Sequence, residues 1–351
     1  MDGHQVASRP PGARDNVKHI SLALQGGGAH GAYAWGVLDR LLEDERIEVE
    51  AISGTSAGAM NAAVFADGMG RGGRAEAKRA LEAFWRNISE AARFSPLQPT
   101  PFDRMTRGWN LDHSPAFMIM DLMSRMLSPY QLNPANINPL RDVLVKSVDF
   151  ERLEHCRAVR LFISATNVKT GKVRVFESGE ITPDVLLASA CLPFMFQAVT
   201  IDEEPYWDGG YMGNPALFPL IYGAESRDVV IVQINPLTCD QVPTTATAIM
   251  NRLNEISFNS SLMREMRAVA FVTDLIDQGR LDGEHYKRMN VHWIEAEEHM
   301  KGLGVSSKLN AQWDFLLHLK AIGREVAGNW LERHFDAIGE RSTVDIKSKF
   351  L

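Results

Sequence analysis

Short apolar segments alternate with helical stretches along most of the chain. The clearest of them predict a helix over 31–44 and strands over 19–24, 49–53 and 229–234. Ile20, Leu22 and Leu24 occupy every second position of the first strand, which is the pattern of a strand with one buried face. The run at 229–234 is almost continuously apolar, as expected for a strand buried on both faces of a parallel sheet. This alternation predicts an α/β fold.

The rest of the pattern extends this fold. It predicts a helix over 57–67, a glycine-rich break at Gly68–Gly73, and a helix continuing to about 88. Later segments predict a hairpin with strands at 160–165 and 172–176, helices near 246–279 and 308–336, and a strand at 291–294. The expected architecture is a three-layer α/β/α sheet over 17–236 with a mostly helical C-terminal extension over 237–351. Residues 1–16 are expected to form a disordered tail.

The turn after the second strand carries the most informative motif, Gly54-Thr55-Ser56-Ala57-Gly58. A serine flanked by glycines between a strand and a helix is the nucleophile elbow of acyl hydrolases. Side chains at Gly54 and Gly58 would collide with the neighbouring backbone, so the serine is forced to the tip of the turn. There it lies at a helix N-terminus, whose dipole favours a developing alkoxide. Ser56 is therefore a candidate nucleophile.

The first strand runs into a second glycine-rich segment, Gln25-Gly26-Gly27-Gly28-Ala29-His30-Gly31. Successive glycines before a helix expose backbone N–H groups, which suits a phosphate or a tetrahedral oxyanion. From Gly26 to Gly31 the segment also matches the G-x-G-x-x-G pattern of a dinucleotide site. That site needs an acidic residue about 20 positions on, at the end of the second strand. Because Glu48 and Glu50 precede or open that strand, we favour an oxyanion loop.

A third segment, Tyr206-Trp207-Asp208-Gly209-Gly210, follows an apolar run and a polar hairpin-like turn. On its own, Asp-Gly-Gly is most often a plain turn. After an oxyanion loop and a nucleophile elbow, Asp208 becomes a candidate base for Ser56. A carboxylate with an ordinary pKa of about 3.9 is a weak base for a serine hydroxyl. We therefore expect the oxyanion loop and the helix dipole to supply much of the rate.

With these three segments in this order, the chain resembles the patatin-like phospholipase family, whose marks are G-G-G-x-[RK]-G, G-x-S-x-G and D-G-[AG]. The resemblance spans roughly residues 18–236, so it implies that 17–236 is a patatin-like catalytic domain. It implies a dyad of Ser56 and Asp208 that acts on acyl esters of lipids without a catalytic histidine. The implied oxyanion hole consists of Gly26, Gly27, Gly28 and Ala29. The implied supporting residues of the motifs are His30, Gly31, Gly54, Gly58, Gly209 and Gly210.

Histidines raise two separate questions. His30 stands where the family has arginine or lysine, so we expect electrostatic support there to depend on pH and an arginine to be tolerated. The histidines after Asp208 lie outside glycine-flanked loops, which favours a dyad over the Ser–Asp–His order of ordinary α/β-hydrolases. These histidines are His285, His292, His299, His318 and His334.

Composition restricts the partners. The chain has 351 residues with 37 Lys and Arg against 44 Asp and Glu, and its net charge of −7 argues against a nucleic-acid partner. Three cysteines without a C-x-x-C motif indicate a reducing compartment and no metal site. No apolar segment reaches the ~20 residues of a membrane span. We expect a cytoplasmic protein without a cofactor, whose membrane contact, if any, is peripheral.

The proline-rich segment 94–140 holds the best clue to the substrate. Met118, Met120, Met123 and Met126 lie close together in an otherwise apolar helical stretch. Methionine is flexible and polarizable, which suits a lid or a pocket wall that accepts varied acyl chains. A plain core helix explains the same pattern, and we favour that interpretation slightly.

These observations predict a lipid acyl hydrolase of the phospholipase A, lysophospholipase or esterase type that forms an acyl-enzyme. One alternative is a non-catalytic lipid-binding or scaffold protein of the same fold. Another is a nucleotide-binding oxidoreductase that uses Gly26–Gly31. The head group, the acyl-chain length and the oligomeric state stay open.

Overall fold

A computed structural model describes residues 17–93, 95–100, 108–283 and 285–350. The predicted tail, 1–16, and parts of the segment 94–140 lie outside the described residues. Within them, one sheet holds eight strands in the order β5-β6-β3-β2-β1-β7-β8, with β4 paired to β3. The strands are β1 (Lys18–Leu24), β2 (Ile47–Gly54), β3 (Arg160–Asn167), β4 (Val173–Glu177), β5 (Val199–Ile201), β6 (Glu204–Asp208), β7 (Asp228–Val232) and β8 (Asn290–Ile294).

Helices cover both faces of this sheet. They are α1 (Gly31–Leu41), α2 (Ala57–Ala92), α3 (Pro115–Met126), α4 (Pro129–Leu132), α5 (Pro139–Ser147), α6 (Phe150–Glu154), α7 (Pro183–Ser189), α8 (Phe218–Gly223), α9 (Ala246–Asp277), α10 (Glu297–Met300), α11 (Trp313–His334) and α12 (Ile346–Phe350). Within α2 the backbone leaves helical geometry at Gly72 and Gly73, inside the predicted glycine-rich break.

The alternation of side chains along the strands builds two separate cores. Leu22 and Leu24 pack into one core, together with residues of α1, α2 and α11. Ala23 and Ile231 face the other core, which includes Leu262 of α9. All of β7 is buried, as predicted for a strand covered on both faces. The predicted three-layer α/β/α architecture is confirmed.

The strand directions bring three chain segments to one edge of the sheet. β1 pairs in parallel with β2 and with β7, so their carboxyl ends lie side by side. β6 runs antiparallel to β3 and places Asp208 opposite Ala165, while Gly54 of β2 lies opposite Ile163. Asp208 therefore reaches the same edge as the turn that follows β2.

The segment 237–351 is mostly helical, as expected, and it is also joined to the sheet. β8 pairs in parallel with β7. Arg324 of α11 forms ion pairs with Asp39 of α1 and with Glu43. The boundary at 236 stays a prediction, but the residues beyond it complete the sheet and one of its helical layers.

The methionine-rich helix α3 is exposed, whereas the favoured interpretation of its sequence was a core helix. None of the residues of α3 is buried. Met118, Ile119, Leu122 and Met126 each expose more than half of their surface. The interpretation of this segment as a core helix is therefore wrong, because burial depends on what packs over a helix and not on its own apolarity.

Candidate active site

Ser56 occupies a strained turn between β2 and α2. Its φ and ψ angles are 53° and −121°, a conformation that a residue other than glycine adopts at a cost of about 1–3 kcal/mol. Close packing enforces the turn, since a Cβ on Gly58 would lie 2.3 Å from the Leu24 carbonyl oxygen, and one on Gly54 would lie 2.7 Å from the Gly58 oxygen. The serine therefore stands at the N-terminus of α2, almost fully buried.

Two of the hydrogen bonds that hold this turn involve a side chain and a distant part of the chain. The Ser56 N–H donates to Ser189 Oγ at 2.8 Å, and the Thr55 hydroxyl donates to the Gly213 carbonyl at 2.6 Å. Ser189 lies 133 residues further along the chain, so no local pattern could assign it this contact. Both bonds reduce the freedom of the backbone that carries Ser56.

Asp208 ends β6 and is buried beside Ser56. Its Oδ1 atom accepts a hydrogen bond from the Gly210 N–H at 2.7 Å, and its own N–H donates to the Cys191 carbonyl at 2.8 Å. Gly209 and Gly210 form the short turn that follows the strand. Oδ2 is buried and accepts no hydrogen bond of normal length and angle from the residues that the structure describes. One carboxylate oxygen is thus held, and the other is unused.

Burial raises the pKa of Asp208 from 3.8 to about 7. The Gly210 N–H, the Ser56 hydroxyl and the charge of Lys308 each act in the opposite direction and lower this pKa. Hydrogen bonds of this kind are often loose in a ligand-free site and tighten when a substrate binds. The expectation of an ordinary, weakly basic carboxylate is wrong, because it ignored burial.

The glycine loop lies directly against Ser56. A Cβ on Gly26 would lie 2.7 Å from Ser56 Cβ. The Gly26 N–H donates to Asn214 Oδ1 at 2.7 Å, and the Gly26 carbonyl accepts from Asn235 Nδ2 at 2.9 Å. The expectation that Gly26 donates to an oxyanion is wrong for this structure, because Asn214 already holds its N–H.

The next three N–H groups are not used in this way. In the described residues, the N–H groups of Gly27, Gly28 and Ala29 donate no hydrogen bond. Gly28 is exposed and has a φ of +58°, and a Cβ there would lie 2.5 Å from the Lys308 carbonyl oxygen. Gly31 follows as the first residue of α1. The loop therefore offers unpaired donors at the start of a helix, where negative charge is favoured.

His30 does not carry a charge near neutrality. It is buried, and its Nε2 atom lies 2.8 Å from Ser307 Oγ. Burial, assisted by the charge of Lys308, lowers the pKa of His30 to about 3. The expected pH dependence from His30 is therefore wrong. The expected tolerance of arginine has lost its basis, because a second cation would be buried near the first.

The downstream histidines do not contact Ser56 or Asp208 within the described residues. In the part of the chain that the structure describes, none of them forms a hydrogen bond with Ser56 or Asp208. His292 is buried against Asp228, and His285 pairs with Asp282 on the surface. His318 stacks on Trp109 and His334 packs against Trp330, while His299 is exposed.

Several residues around the site come from distant parts of the chain and were missed by the sequence patterns. Gln25 Oε1 accepts hydrogen bonds from the N–H groups of Ile234 and Asn235, each at 2.9 Å. Asn259 Oδ1 accepts from Gln25 Nε2 at 3.0 Å. Polar residues at the end of β7 and in α9 therefore support the loop. No local signal marks them, since their role depends on the folded chain.

Among residues 17–93, 95–100, 108–283 and 285–350, no group of three or more His, Cys, Asp or Glu side chains could hold a metal ion. Over the same residues, no helix combines the length and apolarity needed to cross a bilayer.

Comparisons with known proteins place the chain in a family. A profile of the family described as patatin-like phospholipase matches residues 22–221, more than half of the 351 residues. No curated protein sequence matches the chain.

Solved structures give distant likenesses. VipD from Legionella pneumophila is 16% identical with a TM-score of 0.42, and the match covers 90% of this chain and 67% of that one. The type III effector protein ExoU is 16% identical with a TM-score of 0.33, covering 91% and 54%. The match to the ExoU–SpcU complex from Pseudomonas aeruginosa has 17% identity and a TM-score of 0.33, and it covers 92% of this chain and 52% of that one. The chain therefore spans about two thirds of VipD and about half of ExoU. On the family match, this chain belongs to the patatin-like phospholipase family.

Proposed function

We propose that this protein is a lipid acyl hydrolase that cleaves carboxylic esters through Ser56 and Asp208. The observation that carries the proposal is the pairing of a serine on a strained helix N-terminus with a buried carboxylate whose Oδ2 atom is unused. Membership in a family of patatin-like phospholipases supports acyl esters of lipids as the substrate class.

The proposed reaction has two similar halves. Ser56 Oγ bonds to the ester carbonyl carbon while its proton moves to Asp208 Oδ2 and the carbonyl electrons move to oxygen. The tetrahedral intermediate then breaks its bond to the alcohol, which takes the proton from Asp208. Water attacks the acyl-enzyme in the same manner, with Asp208 again as base, and the fatty acid leaves.

The glycine loop supplies the oxyanion hole in this proposal. The unpaired N–H groups of Gly27, Gly28 and Ala29 are the donors, while Gly26 holds the loop in place through Asn214. One such donor contributes roughly 10²–10³ in rate. A base with a pKa of about 7 is matched to neutral solution, so the donors carry less of the rate than an ordinary aspartate would require.

The exposed helix α3 is the proposed contact with lipid. Its four exposed apolar side chains include Met118 and Met126, and its Asp121 and Arg125 pair with each other at 3.0 Å. The helix therefore presents apolar surface with little net charge, which suits the acyl region of a lipid aggregate. Tyr130, after α3, accepts a hydrogen bond from the Ala198 N–H at 3.3 Å and links this surface to the loop after α7.

The test combines labelling with turnover in the full chain. A fluorophosphonate probe followed by mass spectrometry is expected to label Ser56 alone. Wild-type protein is expected to release fatty acid from phosphatidylcholine vesicles and to hydrolyse a soluble p-nitrophenyl ester. Ser56→Ala should abolish labelling and both activities. The control Ser260→Ala, a half-buried serine of α9 whose hydroxyl donates to the Ser257 carbonyl, should retain them.

Three results would contradict the proposal. Residual activity of Ser56→Ala within tenfold of wild type would exclude Ser56 as the nucleophile. Vesicle binding by the wild type without labelling or fatty-acid release would support the alternative of a lipid-binding protein of the same fold. Bound NAD(P) or flavin in the purified protein would revive the nucleotide alternative.

A further inference from the structure

Lys308 places a cation beside the glycine loop. Its ammonium donates to Asn235 Oδ1 at 2.8 Å and to Asn254 Oδ1 at 3.2 Å. Among the described residues no carboxylate lies within ion-pair distance of it, whereas Lys78 and Arg71 on α2 pair with acidic groups. The residue as a whole is partly exposed, but its ammonium lies among protein atoms. Besides the two amides, its neighbour is the ring of Phe258, whose centroid lies 5.8 Å from the ammonium. A desolvated charge without a charged partner is costly, which suggests that the charge serves a function.

Lys308 contacts the loop directly at one place and through one amide side chain at another. Its carbonyl oxygen lies against Gly28, where a Cβ would be 2.5 Å away. Its ammonium is bonded to Asn235, whose Nδ2 atom donates to the Gly26 carbonyl at 2.9 Å. Lys308 therefore contacts one side of the loop with its backbone and reaches the other through one amide. It lies outside the 22–221 segment that matches the family.

The charged groups around Lys308 define what its charge acts on. Asp208 and Glu255 both stabilise its protonated form. Glu255 is already paired with Arg252 at 3.0 Å. His30 is neutral near pH 7, and the charge of Lys308 helps to keep it so. Within the described part of the chain, Asp208 is thus an acid near Lys308 that forms no ion pair with another cation.

No anionic ligand explains this ammonium. The cavity lined by Lys308, His30 and Glu255 has a volume of about 10 Å³, the size of a single water at most. A phosphate does not fit there. The charge of Lys308 therefore acts on groups of the protein itself and on the oxyanion that forms on the loop.

We infer that Lys308 is a positioning residue whose ammonium supplies positive charge beside the glycine loop. This charge keeps Asp208 ionised and stabilises the oxyanion that forms on the loop. This inference rests on the proposed function and adds a residue from the C-terminal segment to it. The sequence pattern predicted the positive charge at His30, inside the loop. The fold instead brings a positive charge from Lys308, 278 positions further along the chain.

The inference predicts that the rate falls at both low and high pH. The active state has Asp208 as a carboxylate and Lys308 as an ammonium. Burial raises the pKa of Asp208 to about 7 and lowers that of Lys308 to about 8. Activity should therefore rise as pH increases through the first value and fall as it passes the second. Because the two groups interact, the measured limbs belong to the pair.

The experiment compares three variants of the full chain across pH 5–10 with a soluble p-nitrophenyl ester. Lys308→Met removes the charge, and we expect its acid limb to move about one pH unit upward with a loss of kcat of about tenfold. Lys308→Arg keeps the charge, and we expect its acid limb to stay in place while the alkaline decline disappears, since arginine stays protonated. The control is Lys320→Met, a lysine of α11 that lies over Trp35 and pairs with Asp39, and its profile should match wild type.

The outcomes separate this inference from the proposed function. A folded Lys308→Met variant with a wild-type profile would overturn the inference. If that variant does not fold, an alkaline limb left unmoved in Lys308→Arg would overturn it. Titration of the Asp208 carboxyl by ¹³C NMR, which needs no turnover, should show a higher pKa in Lys308→Met. An unchanged value there would overturn the inference, while absence of hydrolysis by the wild type would overturn only the proposed function.

Discussion

Two buried aspartates lie at opposite edges of the same sheet and differ in how fully they are bonded. Asp208 ends β6 at the edge that carries Ser56, and its Oδ2 atom has no hydrogen-bond partner among the described residues. Asp228 begins β7 at the other edge, where its Oδ1 atom accepts hydrogen bonds from His292 Nε2 at 2.7 Å and the Gly339 N–H at 2.8 Å. Both residues are almost wholly inaccessible to solvent.

The difference shows how burial alone fails to mark a functional acid. Asp228 with His292 has the partners of a catalytic pair, yet its contacts join the C-terminal segment to the sheet, since His292 also contacts Thr343. Asp208 has an incomplete set of hydrogen bonds and faces a serine. A buried polar group that lacks a partner is costly, so its retention points to function. We interpret Asp228 as structural and Asp208 as reactive.

The largest expected effect is on turnover. Asp208→Asn should lower kcat by about 10³-fold, because the amide can still hydrogen-bond Ser56 but cannot accept its proton. Asp228→Asn should leave the kcat of the folded protein within a few-fold of wild type. Steady-state kinetics on a soluble ester, normalised to folded protein, measures both. Equal losses in the two variants would remove the distinction between the aspartates.

The same pair should affect stability in opposite directions. Because folding raises the pKa of Asp208 to about 7, the stability from this group is complete below its unfolded pKa. It is lost as pH rises through 7, by up to roughly 4 kcal/mol. Asp208→Asn should therefore be more stable than wild type at pH 8 and no different at pH 3.5, whereas Asp228→Asn should be less stable at pH 8. Urea unfolding at the two pH values measures this, and a destabilised Asp208→Asn variant at pH 8 would contradict it.

The histidine beside Asp228 tests whether a triad exists. His292→Ala should lower the free energy of unfolding by about 3 kcal/mol, because it leaves a cavity and removes the partner of a buried acid. The kcat of the folded fraction should stay unchanged. The same constancy of kcat is expected for alanine at His285, His299, His318 and His334. A folded histidine variant with the kcat loss of Asp208→Asn would establish a triad.

The smallest expected effects come from two glycines with positive φ, one near each edge. Gly28→Ala and Gly339→Ala should each cost about 1–2 kcal/mol of stability, since φ is +58° at the first and +86° at the second. Only Gly28→Ala, which also meets the Lys308 carbonyl, should displace oxyanion donors and lower kcat by at least tenfold. Thermal unfolding and kinetics together measure this. Full kcat in Gly28→Ala would show that the loop is not the oxyanion hole.

The local features of this protein follow from its sequence because they depend on neighbours in the chain. Alternating apolar residues predicted β1, and a nearly continuous apolar run predicted β7. The predicted hairpin is formed by β3 and β4. Steric exclusion of side chains at Gly54 and Gly58 determined the shape of the turn that carries Ser56. Such rules act over a few residues and need no knowledge of the fold.

The tertiary structure decided what each side chain faces. The apolar pattern of α3 could not show whether anything covers it, and the loop sequence could not show that Asn214 takes the Gly26 N–H. Burial made His30 neutral and Asp208 a stronger base, and the chain brought Lys308 to the loop from a distant segment. Charge, pKa and free hydrogen-bonding capacity depend on the atoms within a few ångströms in space, and only the folded chain determines which atoms those are.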